Sequence, residues 1–347
     1  MPAEGNDSAL ETLLLPFASG DLSWPRDGAL FLRARDGWPL HRQPLPGLVC
    51  AQSFRPEYER LQQSGFDVDA PPDARYPLVL LLPPRQRDEA RALFAEAVAR
   101  LQPGGIVLAS MANDEGAKSG ESDLARIAGP LRTISKNKCR VFWSAALQGA
   151  SDSGLAAQWR TLDAPRPILD GRFVSRPGVF AWDRIDAASA LLAEHLPGDL
   201  AGAGADLGTG YGYLAAEVLA RCDRVTALDL YEAEARALDL ARANLQRFAG
   251  RTTLGFHWHD VTRGLAQRYD FIVSNPPFHA QSRADRPDIG RHFIAAAAEA
   301  LKPAGRLWLV ANRHLPYEAV LDARFGKVRT VTQQGGFKVV EAIKAAR

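Results

Sequence analysis

The sequence predicts an α/β fold repeated in tandem. Short apolar runs alternate with stripes of helical spacing, and one strand–helix–strand unit recurs in both halves. A glycine-rich turn follows an apolar run in the second half only. With 347 residues the chain has room for two domains, and at 46% hydrophobic and 24% charged residues it is globular rather than disordered.

The N-terminal unit opens on Leu78-Val79-Leu80-Leu81-Leu82, a buried-strand run ended by Pro83-Pro84. Ala90, Leu93, Phe94, Ala97, Val98 and Leu101 then recur at helical spacing. Pro103-Gly104-Gly105 breaks that helix, and Ile106-Val107-Leu108-Ala109 is the next strand. The segment from Ser151 to Pro167 has weak periodicity and reads as a linker or domain edge. The C-terminal half repeats the order. Phe271-Ile272-Val273 is a strand, Pro276-Pro277 a turn, and Ile289 to Leu301 a helical stripe. Pro303-Ala304-Gly305 is the break, and Leu307-Trp308-Leu309-Val310 the next strand. Asn113 and Asn312 follow the last strands at nearly the same distance, as an internal duplication would place them.

The turn Asp206-Leu207-Gly208-Thr209-Gly210-Tyr211-Gly212 sits between a strand ending at Leu207 and a helix beginning at Tyr213, the setting of a nucleotide-like cofactor site. Gly208, Gly210 and Gly212 let backbone approach a ligand. A second strand, Arg224 to Leu228, leads into Asp229, a carboxylate for ribose hydroxyls. These features suit NAD as well. The G-x-G-x-G spacing with an acid two positions earlier favours S-adenosylmethionine, whose ammonium Asp206 can hold and which brings no pyrophosphate. Asp260, after the strand Phe256-His257-Trp258-His259, is either an acceptor for the adenine amine or a turn cap. His257 and His259 alternate on that strand but make no metal site without further ligands.

Asn275-Pro276-Pro277-Phe278 supplies the chemistry. An aromatic amine is a poor nucleophile, because its lone pair is delocalised. The Asn275 oxygen and the Pro276 carbonyl can accept its two hydrogens, the prolines stiffen the acceptors, and Phe278 can stack on the base. Proximity to a sulfonium methyl supplies much of the rate, so no strong base is required. His279 is as readily a loop residue as a substrate contact.

A net charge of +2 excludes a global field for nucleic acid. Two acid-free basic stretches remain. Arg126, Arg132, Lys136, Lys138 and Arg140 form one, and Arg324, Lys327, Arg329 and Lys338 the other. Each is a solvated face or a phosphate contact. Cys50, Cys139 and Cys222 make neither a zinc spacing nor a disulfide framework, as expected of buried thiols in a reducing cytosol. Met1 to Gly20 lacks signal-peptide features, and no apolar run approaches the ~20 residues of a membrane span. A cytoplasmic protein is expected.

With these residues in view, the chain resembles the bacterial ribosomal RNA guanine-N2 methyltransferases. The likeness rests on Pro177-Gly178-Val179-Phe180, on Ser274-Asn275-Pro276-Pro277-Phe278-His279, on Val310-Ala311-Asn312-Arg313-His314-Leu315-Pro316-Tyr317 and on Gly336-Phe337-Lys338-Val339. It implies two tandem Rossmann-like class I methyltransferase domains. Residues 1–160 would be a degenerate copy for substrate binding or support, and 170–347 the catalytic domain. It implies S-adenosyl-L-methionine as cofactor, with Phe180 against it, no metal, and a monomer acting on ribosomal RNA or a ribosomal subunit. Leu315-Pro316-Tyr317 favours 16S rRNA, while Asn312-Arg313-His314 also resembles the 23S type. Protein glutamine or DNA adenine are alternative acceptors for such a turn, and a non-catalytic RNA-binding assembly factor is the alternative without chemistry.

Overall fold

The computed structural model describes residues 7–277 and 287–346. It comprises two compact units, Met1–Ala164 with Arg176–Gly178 and Pro165–Ser175 with Val179–Arg347.

The first unit holds β1 (Ala29–Leu32), β2 (Leu48–Ala51), β3 (Tyr76–Leu81), β4 (Leu101–Ala112), β5 (Leu131–Lys136) and β6 (Cys139–Ser144). They form one sheet in the order β2-β1-β3-β4-β6-β5. The first four strands run parallel and the β5–β6 hairpin is antiparallel. The second unit begins with a small antiparallel pair, β7 (Arg166–Ile168) and β8 (Phe173–Ser175). Its main strands are β9 (Gly202–Leu207), β10 (Val225–Glu232), β11 (Thr253–Trp258), β12 (Tyr269–Ser274), β13 (Leu301–Asn312), β14 (Lys327–Gln334) and β15 (Phe337–Ile343). Their order is β11-β10-β9-β12-β13-β15-β14. This is the order of the first unit with one more edge strand. In the first unit that place is taken by a lone parallel bridge between Val49 and Asp67.

Parallel strands covered by helices on both faces need apolar side chains on both. Leu228, Leu230, Phe271 and Val273 accordingly pack on one face of the second sheet, against the helices Ala187–His195, Tyr213–Arg221 and Ala235–Leu245. Tyr231, Tyr269 and Ile272 pack on the other, against the helix Pro287–Ala300.

The repeat inferred from sequence extends to register. Tyr76 pairs with Leu101 and Leu78 with Ile106, just as Tyr269 pairs with Leu301 and Phe271 with Arg306. Both irregularities fall at the Pro-Gly breaks, so β4 and β13 begin before those breaks rather than after them. At Gly105 and Gly305 a Cβ would lie 2.9–3.2 Å from backbone oxygens of the turn and of the neighbouring strand, which crowds a side chain at both. Asn113 corresponds to Arg313 rather than Asn312: each donates its backbone N–H to a hairpin-tip carbonyl, Lys138 or Gly336.

The segment from Ser151 to Pro167 is not simply a linker. It contains the helix Ser153–Trp159, whose Trp159 is buried in the first core with the Arg91 and Arg126 guanidinium groups 5.1 and 5.3 Å from its ring. Among the described residues no helix is long and apolar enough to cross a membrane, and no group of His, Cys, Asp and Glu could hold a metal ion. Cys50, Cys139 and Cys222 are free and buried.

Candidate active site

The site lies at the carboxyl ends of β9, β10 and β12. Parallel pairing sets Val273 beside Asp206 and Ser274 beside Leu207, and the Ser274 hydroxyl donates to the Leu207 carbonyl at 2.8 Å. The residues after these strands, Gly208 and Asn275, therefore meet. A Cβ at Gly208 would be 3.9 Å from the Asn275 carbonyl oxygen. Gly208 (φ 74°) and Gly210 (φ 57°) are left-handed, where side chains are strained. A Cβ on Gly210 would meet nothing within 4 Å, so the turn faces open space there.

Two carboxylates bracket the turn. Asp206 is fully buried, and burial pushes its pKa up to about 7. Its Oδ2 accepts the Thr209 hydroxyl at 2.8 Å. Its Oδ1 has no hydrogen-bond partner among the described residues. Glu232, the last residue of β10, accepts from Gly210 N at 2.8 Å and from Glu234 N at 2.9 Å. Burial raises its pKa as well. An unpaired carboxylate oxygen suits an ammonium, and the Glu232 oxygens keep lone pairs for hydroxyls. Carboxylate oxygens at the turn accept hydrogen bonds, whereas a pyrophosphate needs donors. The donor set fits S-adenosylmethionine.

Asn275 is held by its amide nitrogen. Nδ2 donates to Asp186 Oδ2 at 2.9 Å and to Ser189 Oγ at 2.8 Å. Its Oδ1 is buried and lacks a partner among the described residues. Pro276 is buried and Pro277 exposed. Phe278 and His279 lie outside the described residues.

Asp229, expected from the sequence as a ribose carboxylate, does not stand at the strand end. β10 does not end near Asp229 but continues through Leu230, opposite Asp206, to Glu232. Asp229 lies in mid-strand on the other face. Its Oδ2 accepts the Tyr269 hydroxyl at 2.6 Å, and His257 Nε2 is 3.2 Å from Oδ1. Tyr269 also meets the Tyr231 hydroxyl at 2.7 Å, and His257 stacks on Tyr231. Sequence reasoning missed Glu232, although the start of the next helix at Ala235 pointed to it, since strand-to-helix loops are short. It also missed Asp186 and Ser189. Asp186 caps the helix Ala187–His195 by accepting from Ser189 N at 2.9 Å, a signature the sequence carries.

Asp260 follows β11 and behaves as a turn cap. Its Oδ1 accepts from Thr262 N at 3.0 Å and from Thr262 Oγ1 at 2.7 Å, and among the described residues no hydrogen bond joins it to the glycine turn. Phe180 is 67% exposed, and the segment after it is tied to the turn by the Tyr211 hydroxyl, which donates to the Arg184 carbonyl at 3.1 Å. The basic stretches are largely neutralised by acids from elsewhere in the chain. Arg132 pairs with Asp21, Arg140 with Glu121, Arg324 with Glu299, Arg329 with Glu341 and Lys338 with Glu318.

Residues 170–341 match the family described as methyltransferase small domain. Fold and site thus define the second unit as a class I methyltransferase domain. Over both units the chain is similar to ribosomal RNA small subunit methyltransferase C of Pseudomonas paraeruginosa, 33% identical over 284 residues that cover 81% of this chain and 82% of that one. It is 30% identical to the protein of the same name from Sodalis glossinidius, over 325 residues covering 93% and 87% of the two chains. The chain belongs to the ribosomal RNA small subunit methyltransferase C family. The solved structure of the T. thermophilus 16S rRNA N2 G1207 methyltransferase (RsmC), in complex with AdoMet and guanosine, shares its fold with a TM-score of 0.80 at 24% identity, covering 99% of this chain and 93% of that one.

Proposed function

We infer that this chain transfers a methyl group from S-adenosylmethionine to the exocyclic N2 amine of a guanine in 16S rRNA. The observation that carries the reading is the Asn275 amide. Its nitrogen is fully engaged, its oxygen is buried without a donor among the described residues, and it stands beside the Gly208 turn. That oxygen can accept an N–H of a flat amine, and the Pro276 carbonyl can take the second hydrogen. Holding both hydrogens aligns the nitrogen and favours a more tetrahedral geometry, with the acceptors preorganised by proline. Bound S-adenosylmethionine supplies an electrophilic methyl group on sulfur. Asp206 would hold its ammonium, Glu232 its ribose hydroxyls, and Gly208, Gly210 and Gly212 the backbone approach. Asp260 and Phe180 would border the adenine, and Phe278 and Pro277 the acceptor base. Family membership and the guanosine in the T. thermophilus complex support guanine and the small subunit.

The first unit serves in this reading as a degenerate copy that binds RNA or supports its partner. Lys136 and Lys138, exposed at the β5–β6 hairpin with no ion-pair partner among the described residues, are cations free for phosphate. In this reading the protein acts as a monomer in the cytoplasm. The test is incubation with methyl-labelled cofactor and either 30S particles, naked 16S rRNA, 50S particles or 23S rRNA, followed by nucleoside analysis. N2-methylguanosine in a 16S-containing sample is expected. Label confined to 23S rRNA, protein or DNA would overturn the reading.

A further inference from the structure

We propose that Asp186 and Ser189 are positioning residues that decide which end of the Asn275 amide faces the acceptor amine. The inference rests on the reaction inferred above. An asparagine amide presents an oxygen or an NH2 group depending on a half-turn about its last bond, and only the oxygen can accept a hydrogen from an amine. Nothing in the Asn-Pro-Pro elbow itself makes that choice, because the prolines stiffen backbone and leave this bond free.

Two acceptors from a distant part of the chain make it. Asp186 Oδ2 and Ser189 Oγ lie 2.9 and 2.8 Å from Nδ2 and take both of its hydrogens. Turning the amide over would set its oxygen against the Asp186 carboxylate, which is repulsive and leaves the NH2 group pointing at the acceptor site. The carboxylate is itself fixed, because the same Oδ2 accepts from Ser189 N as the cap of the helix Ala187–His195. Ser189 is buried one turn into that helix, so its hydroxyl is held by packing rather than by solvent. The helix start thus does two jobs with one side chain: it is capped, and it orients an amide beyond the fourth parallel strand of the sheet.

The two jobs can be separated. Asp186→Ser keeps an oxygen able to cap the helix but is too short to reach Asn275. Asp186→Asn keeps the length and an acceptor oxygen for both partners. In the full-length protein, Asp186→Ser is expected to lower kcat about 10- to 100-fold, the scale of a misoriented acceptor, with KM and Kd for S-adenosylmethionine within about threefold. Its Tm should stay within a few degrees of wild type. Asp186→Asn should restore kcat to within about fivefold, and Ser189→Ala should lower it by about threefold or more. A readout independent of turnover is hydrogen exchange of the Asn275 side-chain amide in the cofactor-free protein, slow in wild type and in Asp186→Asn and fast in Asp186→Ser. Unchanged exchange and kcat in Asp186→Ser, or a loss of kcat explained by lost cofactor affinity or lost fold, would overturn the proposal. The inferred reaction fails separately: a wild-type protein that methylates only another amine removes the 16S acceptor, and the variants are then judged on that amine and on the exchange rates.

Discussion

The two units set different side chains on equivalent backbone. Strand register defines the correspondence, with Leu32 paired to Leu81 in the first unit as Leu207 is paired to Ser274 in the second. By that register Phe31 stands where the second unit has Asp206, Arg33 where it has Gly208, and Leu82 where it has Asn275. Pairing of β1 with β2 and of β9 with β10 makes Gln52 the counterpart of Glu232. The backbone bend itself survives: Arg33 keeps a left-handed φ of 53° against 74° at Gly208, and Ala34 N donates to Ala51 O as Thr209 N donates to Tyr231 O. The Arg33 side chain is held by Glu89 at 2.7 Å, and Phe31 is buried in the core. A turn can therefore keep its course while the residues at all four of these positions change, because its backbone geometry follows the sheet.

The strongest way to break this comparison is to give the second unit the residues of the first. Gly208→Arg should lower affinity for S-adenosylmethionine more than 100-fold, through a side chain in the cradle and strain at positive φ. Asn275→Leu should leave that affinity within about threefold and lower kcat 100- to 1,000-fold, the scale of losing one preorganised polar group. Calorimetry and single-turnover assays separate the two, and normal turnover in Asn275→Leu would remove the inferred mechanism.

Glu232 and Asp229 sharpen the comparison next. Glu232→Ala should weaken cofactor binding about 10- to 30-fold by removing a charge-assisted acceptor. Asp229→Ala should leave it within about threefold and instead cost about 1–3 kcal/mol of stability, because the buried Tyr269 hydroxyl loses its acceptor. Reversed ranks in titration and urea unfolding would return the ribose to Asp229.

Within one unit of neutrality, the smallest expected effect is that of pH. The folded Asp206 pKa, about 7, is raised from the ordinary 3.8. Its contribution to stability is thus fully present below pH 3.8 and lost as pH rises through about 7 in the cofactor-free protein. An ammonium ligand prefers the ionised carboxylate, so Kd for S-adenosylmethionine should weaken by up to tenfold for each unit below pH 7. Asp206→Asn should flatten both profiles, and an unchanged slope in that variant would show that another group titrates.

Much of this was readable in the chain. The repeat, the glycine turn and the Asn-Pro-Pro elbow are local patterns, and each depends on residues within a few positions of one another. Glu232 was harder, since Asp229-Leu230-Tyr231-Glu232 offers two acids and only pairing with β9 shows which one reaches the strand end. The basic stretches were misleading in the same way. They contain no acid themselves, yet Asp21, Glu121, Glu299, Glu318 and Glu341 come to them through the fold.

From its residues alone the chain determined an α/β duplication and the kind of chemistry one half can perform, because periodicity, proline and glycine act on neighbouring backbone. Only the tertiary structure decided which carboxylate meets the turn and which side chains grip the Asn275 amide. Those choices depend on register between strands and on a helix cap 89 positions from the residue it orients, distances in sequence that local preference does not span.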